Sequence, residues 1–320
     1  MEALEVLHKG ALTTTQDLGR YGYQRYGVPI CGAMDKFALR MANILAGNEE
    51  GEAALEVTIM GPKLRVLQGL RVAFTGADLS PQINGLPCSM WCCLPVEKGD
   101  VISFGAPRSG CRTYIGISGG IDVPLIMGSR STHIRTGHGG FGRALIQGDV
   151  IHVKEEGKNW DKAITPKKLL EEQIPIYAKD WVARVVLGPQ QEYFTPRGLK
   201  TFLEGEYWIT PESDRMGYRL KGPKIEHRYG ADIITDATTP GSVQVPGDGM
   251  PIVLLADAQT TGGYPKIGVV ISPDQDKLAQ AKPGDRIRFE KVSISRAHQL
   301  LVDMENKIKA IKNSLTLSSY

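Results

Sequence analysis

Four short segments concentrate the residue types that can bind or move charge. The first, ADAQTTGGYPKIG (256–268), follows an apolar run, PIVLLADA, that reads as a buried strand. Where the chain leaves that strand it carries an amide, two hydroxyls, two glycines, a phenol, a proline and an ammonium group. Gly262 and Gly263 permit φ values that other residues resist, and their missing side chains let backbone N–H groups approach a ligand. Gln259 and Thr260 supply donors and acceptors beside Tyr264, and Lys266 brings a mobile positive charge. The set suits an anionic or amide-bearing small molecule. A polar turn whose hydroxyls cap its own backbone would have the same composition.

The second segment, SGGIDVPLIMGSRSTHIRTGHGGFGR (118–143), packs three arginines, two histidines and seven glycines into 26 residues. Arg130 and Arg135 are suited to bidentate binding of carboxylate or phosphate beside Ser131. His133 can act as an acid or base near neutral pH. His133 and His138 stand five apart across a glycine, which is neither helical nor strand spacing for a shared metal. In the third segment, TTTQDLGRYGYQRYGVPICGAMD (13–35), Gln16, Asp17 and Arg20 alternate with glycines and tyrosines, and Asp35 is placed to cap a helix. In the fourth, PESDRMGYRLKGP (211–223), Asp214 and Arg215 can form an ion pair or a ligand clamp.

Several chemistries lack their signatures. There is no GxxxxGK[ST] phosphate loop, no strand-linked GxGxxG, no GxSxG elbow and no HExxH. A net charge of +3 with scattered basic residues gives no stripe for a nucleic-acid backbone. No apolar run approaches the length of a membrane span, and the start, MEALEVLHKG, shows no secretory signal, so the cytoplasm is the expected location. Cys31, Cys88, Cys92, Cys93 and Cys111 form no metal or disulfide framework and read as reduced packing thiols, with no metal site expected.

The elements that must position these segments are mostly strands. With 37 glycines and 19 prolines, the chain suits many short strands joined by tight turns. Strand-like runs include ALEVTIM, LRVLQGLRVAFTG, DVISFG, CRTYIGISGG, WVARVVLG, GEYWITP, IGVVISP and DRIRFEKVSI. Helix is expected after Asp35 up to Gly47, over Pro166 to Gln173, over Pro273 to Ala281, and in an amphipathic tail from Arg296 to Lys312 with Leu300, Leu301, Met304, Ile308 and Ile311 on one side. RYGYQ (20–24) echoes RMGYR (215–219), and GDVISF (99–104) echoes GDRIRF (284–289), as two related β domains would. The polar stretch 155–173 is the expected linker.

Together these blocks resemble one family. TTTQDLGRYGYQRYGVPICGAMDKFALRMANILAGN, FTGADLSPQINGLP, SGGIDVPLIMGSRST, SDRMGYRLKGP and LLADAQTTGGYPKIG follow one another between about residues 4 and 290. They are similar to the signature blocks of the second-subunit group of the allophanate-hydrolase-like, biotin-dependent carboxyltransferase family. The resemblance implies a mainly β chain with a few short helices, folded as two cyclophilin-like β-barrel domains (1–175 and 176–295) with a helical tail (296–320).

It also implies a subunit of an ATP-dependent 5-oxoprolinase complex, hydrolysing 5-oxo-L-proline to L-glutamate. A KipI-like (PxpB-like) subunit and a PxpA-like subunit would be the partners, with ATP and Mg2+ used by the complex. Within the blocks, the chemistry of the side chains suggests Arg20, Arg130, Ser131, Arg215, Gln259, Thr260, Gly262, Gly263 and Tyr264 for substrate binding. Asp35, His133, Asp214 and Lys266 are the candidates for catalysis. Two alternatives stay open. One is a biotin-dependent carboxyltransferase acting on a urea- or allophanate-like amide; with no MKM biotinylation motif here, its biotin carrier would lie on another chain. The other is a KipA-type regulator that binds and antagonises a KipI-like kinase inhibitor.

Overall fold

The computed structural model describes residues 1–154 and 167–317 and is mainly β, with some strands alternating inward and outward side chains and others buried almost throughout. It divides into two units. The first comprises Met1–Arg20, Cys31–Tyr177 and the chain from Lys307; the second comprises Tyr21–Ile30 and Ala178–Asn306.

In the first unit, β1 (Glu2–His8), β4 (Lys63–Val66), β6 (Pro81–Ile83), β7 (Leu86–Pro87), β9 (Val101–Phe104) and β11 (Val150–His152) form one sheet, ordered β11-β1-β4-β9-β6-β7. β2 (Leu12–Gln16), β3 (Ala54–Thr58), β5 (Leu70–Asp78), β8 (Cys93–Val96) and β10 (Ser109–Ile117) form a second, ordered β2-β3-β10-β5-β8. One core draws on both sheets: Leu4, Val6, Leu64 and Val66 from the first, and Leu55, Val57, Val72, Phe74, Ile115 and Ile117 from the second. Helix α1 (Lys36–Ala46) packs on β5 and β10. Its start is fixed by the Asp35 carboxylate, which accepts the Ala38 N–H, and its end by Gly47 at φ 86°. Gly116 of β10 faces the Ala42 carbonyl so closely that any Cβ would collide, and this lets helix and strand approach.

The second unit is a closed barrel. Its strands are β12 (Asp180–Leu187), β13 (Tyr207–Ile209), β14 (Gly217–Lys221), β16 (Ser242–Gln244), β17 (Ile252–Leu254), β19 (Lys266–Val270) and β20 (Arg286–Lys291), in the order β12-β19-β16-β17-β14-β13-β20. All neighbours run antiparallel except β12 and β20. A small ladder, β15 (Asp236–Ala237) with β18 (Thr261–Gly262), stands apart from it. In β12, Trp181, Ala183 and Val185 point inward, as a period of two requires. Helix α2 (Pro196–Glu204) is set by Thr195, whose hydroxyl accepts the Gly198 N–H. Helix α3 (Ser272–Leu278) falls where the sequence placed one.

Helix α4 (Ile294–Leu317) is the expected tail, but it uses its apolar side unevenly. Ile308, Ile311 and Leu315 are buried, whereas Leu301 and Val302 are exposed. Two other expectations need correction or fall outside view. The helix expected over Pro166 to Gln173 is, within its described residues, only a single 3-10 turn at Glu171–Gln173. Most of the expected linker, 155–166, lies outside the described residues. Among the described residues no helix is long and apolar enough to cross a membrane.

Candidate functional site

Both units carry polar groups at strand ends. In the first, β2 delivers Asp17 just past its last residue. The Asp17 carboxylate collects the Gly19 N–H at 2.8 Å, the Ser129 hydroxyl at 2.7 Å, the Ser131 hydroxyl and the Arg130 N–H. The Ser131 hydroxyl also accepts the Asp17 N–H at 3.0 Å. Thr132 continues the pairing by donating its N–H to the Thr15 carbonyl, and the Gln16 amide donates to the Thr132 carbonyl at 3.1 Å. The 129–132 segment is thereby fastened to the free edge of β2. All seven glycines of 118–143 have φ between 50° and 90°, which is why this segment is so rich in them.

Around that hub the sequence candidates take definite places. Ser131 is buried and committed to Asp17, so it positions the segment and has no hydroxyl left to offer a substrate. Arg130 is half-buried, with Nε donating to the Val123 carbonyl at 3.1 Å. Arg20 is 1% exposed and donates from Nη2 to the Ser131 carbonyl at 2.6 Å. His133 is buried, with Nδ1 2.7 Å from the Thr136 hydroxyl. His133 and His138 form an antiparallel bridge, so their separation of five is that of a hairpin. Among the described residues no cluster of three or more His, Cys, Asp or Glu is placed to hold a metal.

Asp35 belongs to a second, buried group of the first unit. Besides capping α1, its other carboxylate oxygen accepts the Tyr177 hydroxyl at 3.1 Å. Its N–H donates to the Tyr114 hydroxyl, which in turn donates to the Glu56 carboxylate at 2.7 Å. Burial and the neighbouring Glu56 charge push the Tyr114 phenol well above its usual range, so Tyr114 stays a neutral donor.

In the second unit both candidate cations meet a carboxylate. Arg215, two residues before the start of β14, makes two bonds of 2.9 Å to Asp257, and both side chains are nearly buried. Asp214 folds back on its own turn, accepting the Met216 N–H at 2.7 Å. Lys266, first residue of β19, is nearly buried and donates from Nζ to Asp236 at 2.6 Å and to the Ala237 carbonyl at 2.7 Å. Gln190 braces the pair: its amide nitrogen donates to Asp236 and its oxygen accepts the Lys266 N–H. The Lys266 hydrogen bond holds the Asp236 carboxyl below the usual carboxylate range.

The 256–268 segment is largely spent on this ladder. Thr261 and Gly262 pair with Ala237 and Asp236; the Thr260 carbonyl accepts the Thr238 N–H, and the Gln259 carbonyl accepts the Thr238 hydroxyl. Gln259 and Tyr264 are exposed. Contrary to the sequence reading, neither Gly262 nor Gly263 adopts a positive φ. A Cβ at Gly262 would meet the Gln244 amide nitrogen and force that side chain to move, whereas Gly263 faces no such neighbour. Sequence reasoning missed Asp236, Asp257 and Gln190 as partners. Asp257 sat in plain view inside LLADAQ, an acid at the end of an apolar strand, where burial requires a counter-charge.

The family follows from comparison. The chain matches the model described as "Carboxyltransferase domain, subdomain A and B" over residues 26–291, and it belongs to that family. It is 35% identical to a 5-oxoprolinase subunit of Escherichia coli (strain K12), over 94% of this chain and 95% of that one. It is 32% identical to Saccharomyces cerevisiae urea amidolyase, over 97% of this chain but only 18% of that protein. The crystal structure of the K. lactis urea amidolyase superposes with a TM-score of 0.91 at 33% identity, covering 97% of this chain and 20% of the other.

Proposed function

We propose that this chain is a subunit of an ATP-dependent 5-oxoprolinase that opens 5-oxo-L-proline to L-glutamate, working in the cytoplasm with a KipI-like (PxpB-like) and a PxpA-like subunit. The observation that carries the reading is near end-to-end similarity, 35–36%, to two bacterial proteins that are named as 5-oxoprolinase subunits. The urea amidolyases, by contrast, match as a fifth or less of a longer chain.

Opening a lactam places negative charge on its carbonyl oxygen and a proton on its nitrogen. Lys266 suits the first task. Its ammonium has three N–H groups, Asp236 and the Ala237 carbonyl take two, and the frame of β19 and Gln190 fixes the direction of the third. The exposed Gln259 side chain, with Thr260 and Tyr264, would hold the amide edge. ATP and Mg2+ belong to the complex in this reading. Arg215 is neutralised by Asp257, and no phosphate step is routed through this chain. The test is to combine the chain with its two partner subunits, ATP and 5-oxoproline, measure glutamate, and omit each component in turn. Lys266→Ala, if folded by circular dichroism, should lower turnover on the order of 10²-fold; near-normal turnover would remove Lys266 from the mechanism.

The structural match to urea amidolyase favours one second reading, carboxyl transfer from a biotin carried on another chain to a urea-like amide. Hydrogencarbonate- and biotin-dependent carboxylation of urea without glutamate formation from 5-oxoproline would establish it in place of the first.

A further inference from the structure

Arg20 lies buried with only one hydrogen bond, from Nη2 to the Ser131 carbonyl, and its Nε has no partner. No carboxylate among the described residues pairs with it. Asp17, three residues away, is joined to it only through Ser131, and four other donors occupy that carboxylate. An uncompensated buried guanidinium is strongly unfavourable unless a counter-charge arrives.

Two more orphans lie close by: the buried hydroxyls of Thr15 and Thr132 make no hydrogen bond. Consecutive glycines tie these groups together. A Cβ on Gly139 would strike the Ser131 carbonyl and Arg20 Nη2, and one on Gly140 would strike the Thr132 hydroxyl and approach Thr15. The Gly139 and Gly140 N–H groups donate to no described residue. A fourth orphan, Gln16 Oε1, sits on the next residue of β2; strand alternation sends it to the opposite face, outside this group.

We propose that Arg20, the Thr15 and Thr132 hydroxyls and the Gly139–Gly140 backbone form a binding site for a small oxyanion of the carboxylate, hydrogencarbonate or phosphate class. The donors are a guanidinium, two hydroxyls and two amides, a set that matches an oxyanion and leaves a cation or an apolar group unsatisfied. The site rests on the function proposed above only in the choice of 5-oxoproline as one probe.

The experiment titrates the 15N-labelled full chain with 5-oxoproline, sodium phosphate and sodium hydrogencarbonate at constant ionic strength. The readout is the Arg20 Nε–Hε resonance together with thermal stability. A saturable shift with at least one anion is expected. It should weaken about tenfold or more in Thr132→Val and Thr15→Val, which keep the shape and lose the hydroxyl, and stay unchanged in the surface control Arg65→Gln. The probe that binds most tightly names the source: the substrate's own carboxylate, released phosphate, or a carboxyl donor. No response from Arg20 to any of the three, or an equal response in both hydroxyl variants, overturns the site. Glutamate formation by the assembled complex is read separately. Anion binding without turnover rejects the proposed activity and keeps the site; turnover with no anion response rejects the site and keeps the activity.

Discussion

The two constellations differ in how their charges are balanced. In the barrel, Arg215 faces Asp257 and Lys266 faces Asp236, each at hydrogen-bonding distance. In the first unit, Asp17 is surrounded by hydroxyls and amides, while Arg20 is buried with no carboxylate beside it among the described residues. A balanced pair is neutral before any ligand arrives and contributes a rigid frame. An unbalanced one is completed only by something brought in. Charge density alone therefore does not mark a binding site; the donors left without partners do, whether the third N–H of Lys266 or the guanidinium of Arg20.

The sharpest way to break this contrast is to remove one arginine from each region. Arg215→Ala leaves Asp257 buried and unpaired, for which a loss of about 3–5 kcal/mol is expected. The double variant Arg215→Ala/Asp257→Ala should recover part of it. Arg20→Met forfeits one hydrogen bond but also removes a buried cation that has no partner, so in anion-free buffer it should cost at most about 1 kcal/mol. Urea denaturation of these three variants beside the wild type measures this. Equal losses for the two arginines would mean that Arg20 is already compensated, and the contrast would be false.

Much of this was legible in the sequence, and the reasons differ from residue to residue. The strands with long apolar or alternating runs, such as β5, β10, β12 and β19, were readable because burial imposes the pattern directly. Strand β2 was not: LTTTQ is buried although its inward side chains are threonines and a glutamine, so hydropathy is silent there. Helix α2 hid in TPRGLKTFLE, although Thr195 followed by proline is a start signal with a clear mechanism. Asp35 as a cap and the glycine demand of 118–143 were recoverable because cap and turn chemistry is local. The pairings of Arg215 with Asp257 and of Lys266 with Asp236 join residues 42 and 30 apart, and only the closing of the barrel decides them. The roles of Gly262 and Gly263 were misread for the same reason, since the neighbour that matters is Gln244 on another strand.

A smaller effect sharpens the second pair. Asp236 is half-exposed, so its partnership with Lys266 should show chiefly in the pH dependence of stability. Folding lowers the Asp236 pKa below its ordinary 3.8. Its stabilising contribution is therefore fully present above that value and is lost as pH falls through the lowered one. Asp236→Asn should be less stable than wild type at neutral pH, and the two thermal melting curves should converge once the pH has fallen through the lowered Asp236 value. A gap that persists in acid would assign the loss to the Gln190 and Ala237 contacts.

The smallest expected signal belongs to the first unit and uses its cysteines, all five of which lie there. Burial pushes the Cys88 and Cys93 thiols up to about 11, and it raises Cys92 as well. At Cys93 the nearby Arg71 and Lys167 charges pull the other way without prevailing, which fits a unit whose cations are not arranged to stabilise a thiolate. Alkylation requires the thiolate, so iodoacetamide at neutral pH should label Cys88, Cys92 and Cys93 far more slowly than a free cysteine, by mass spectrometry. The same labelling then tests the comparison from the other side. In Arg215→Ala these thiols should stay protected at urea concentrations where the barrel has lost its structure. Rapid labelling there would show that the balanced pair supports the first unit too, and the two constellations could no longer be treated as separate frames.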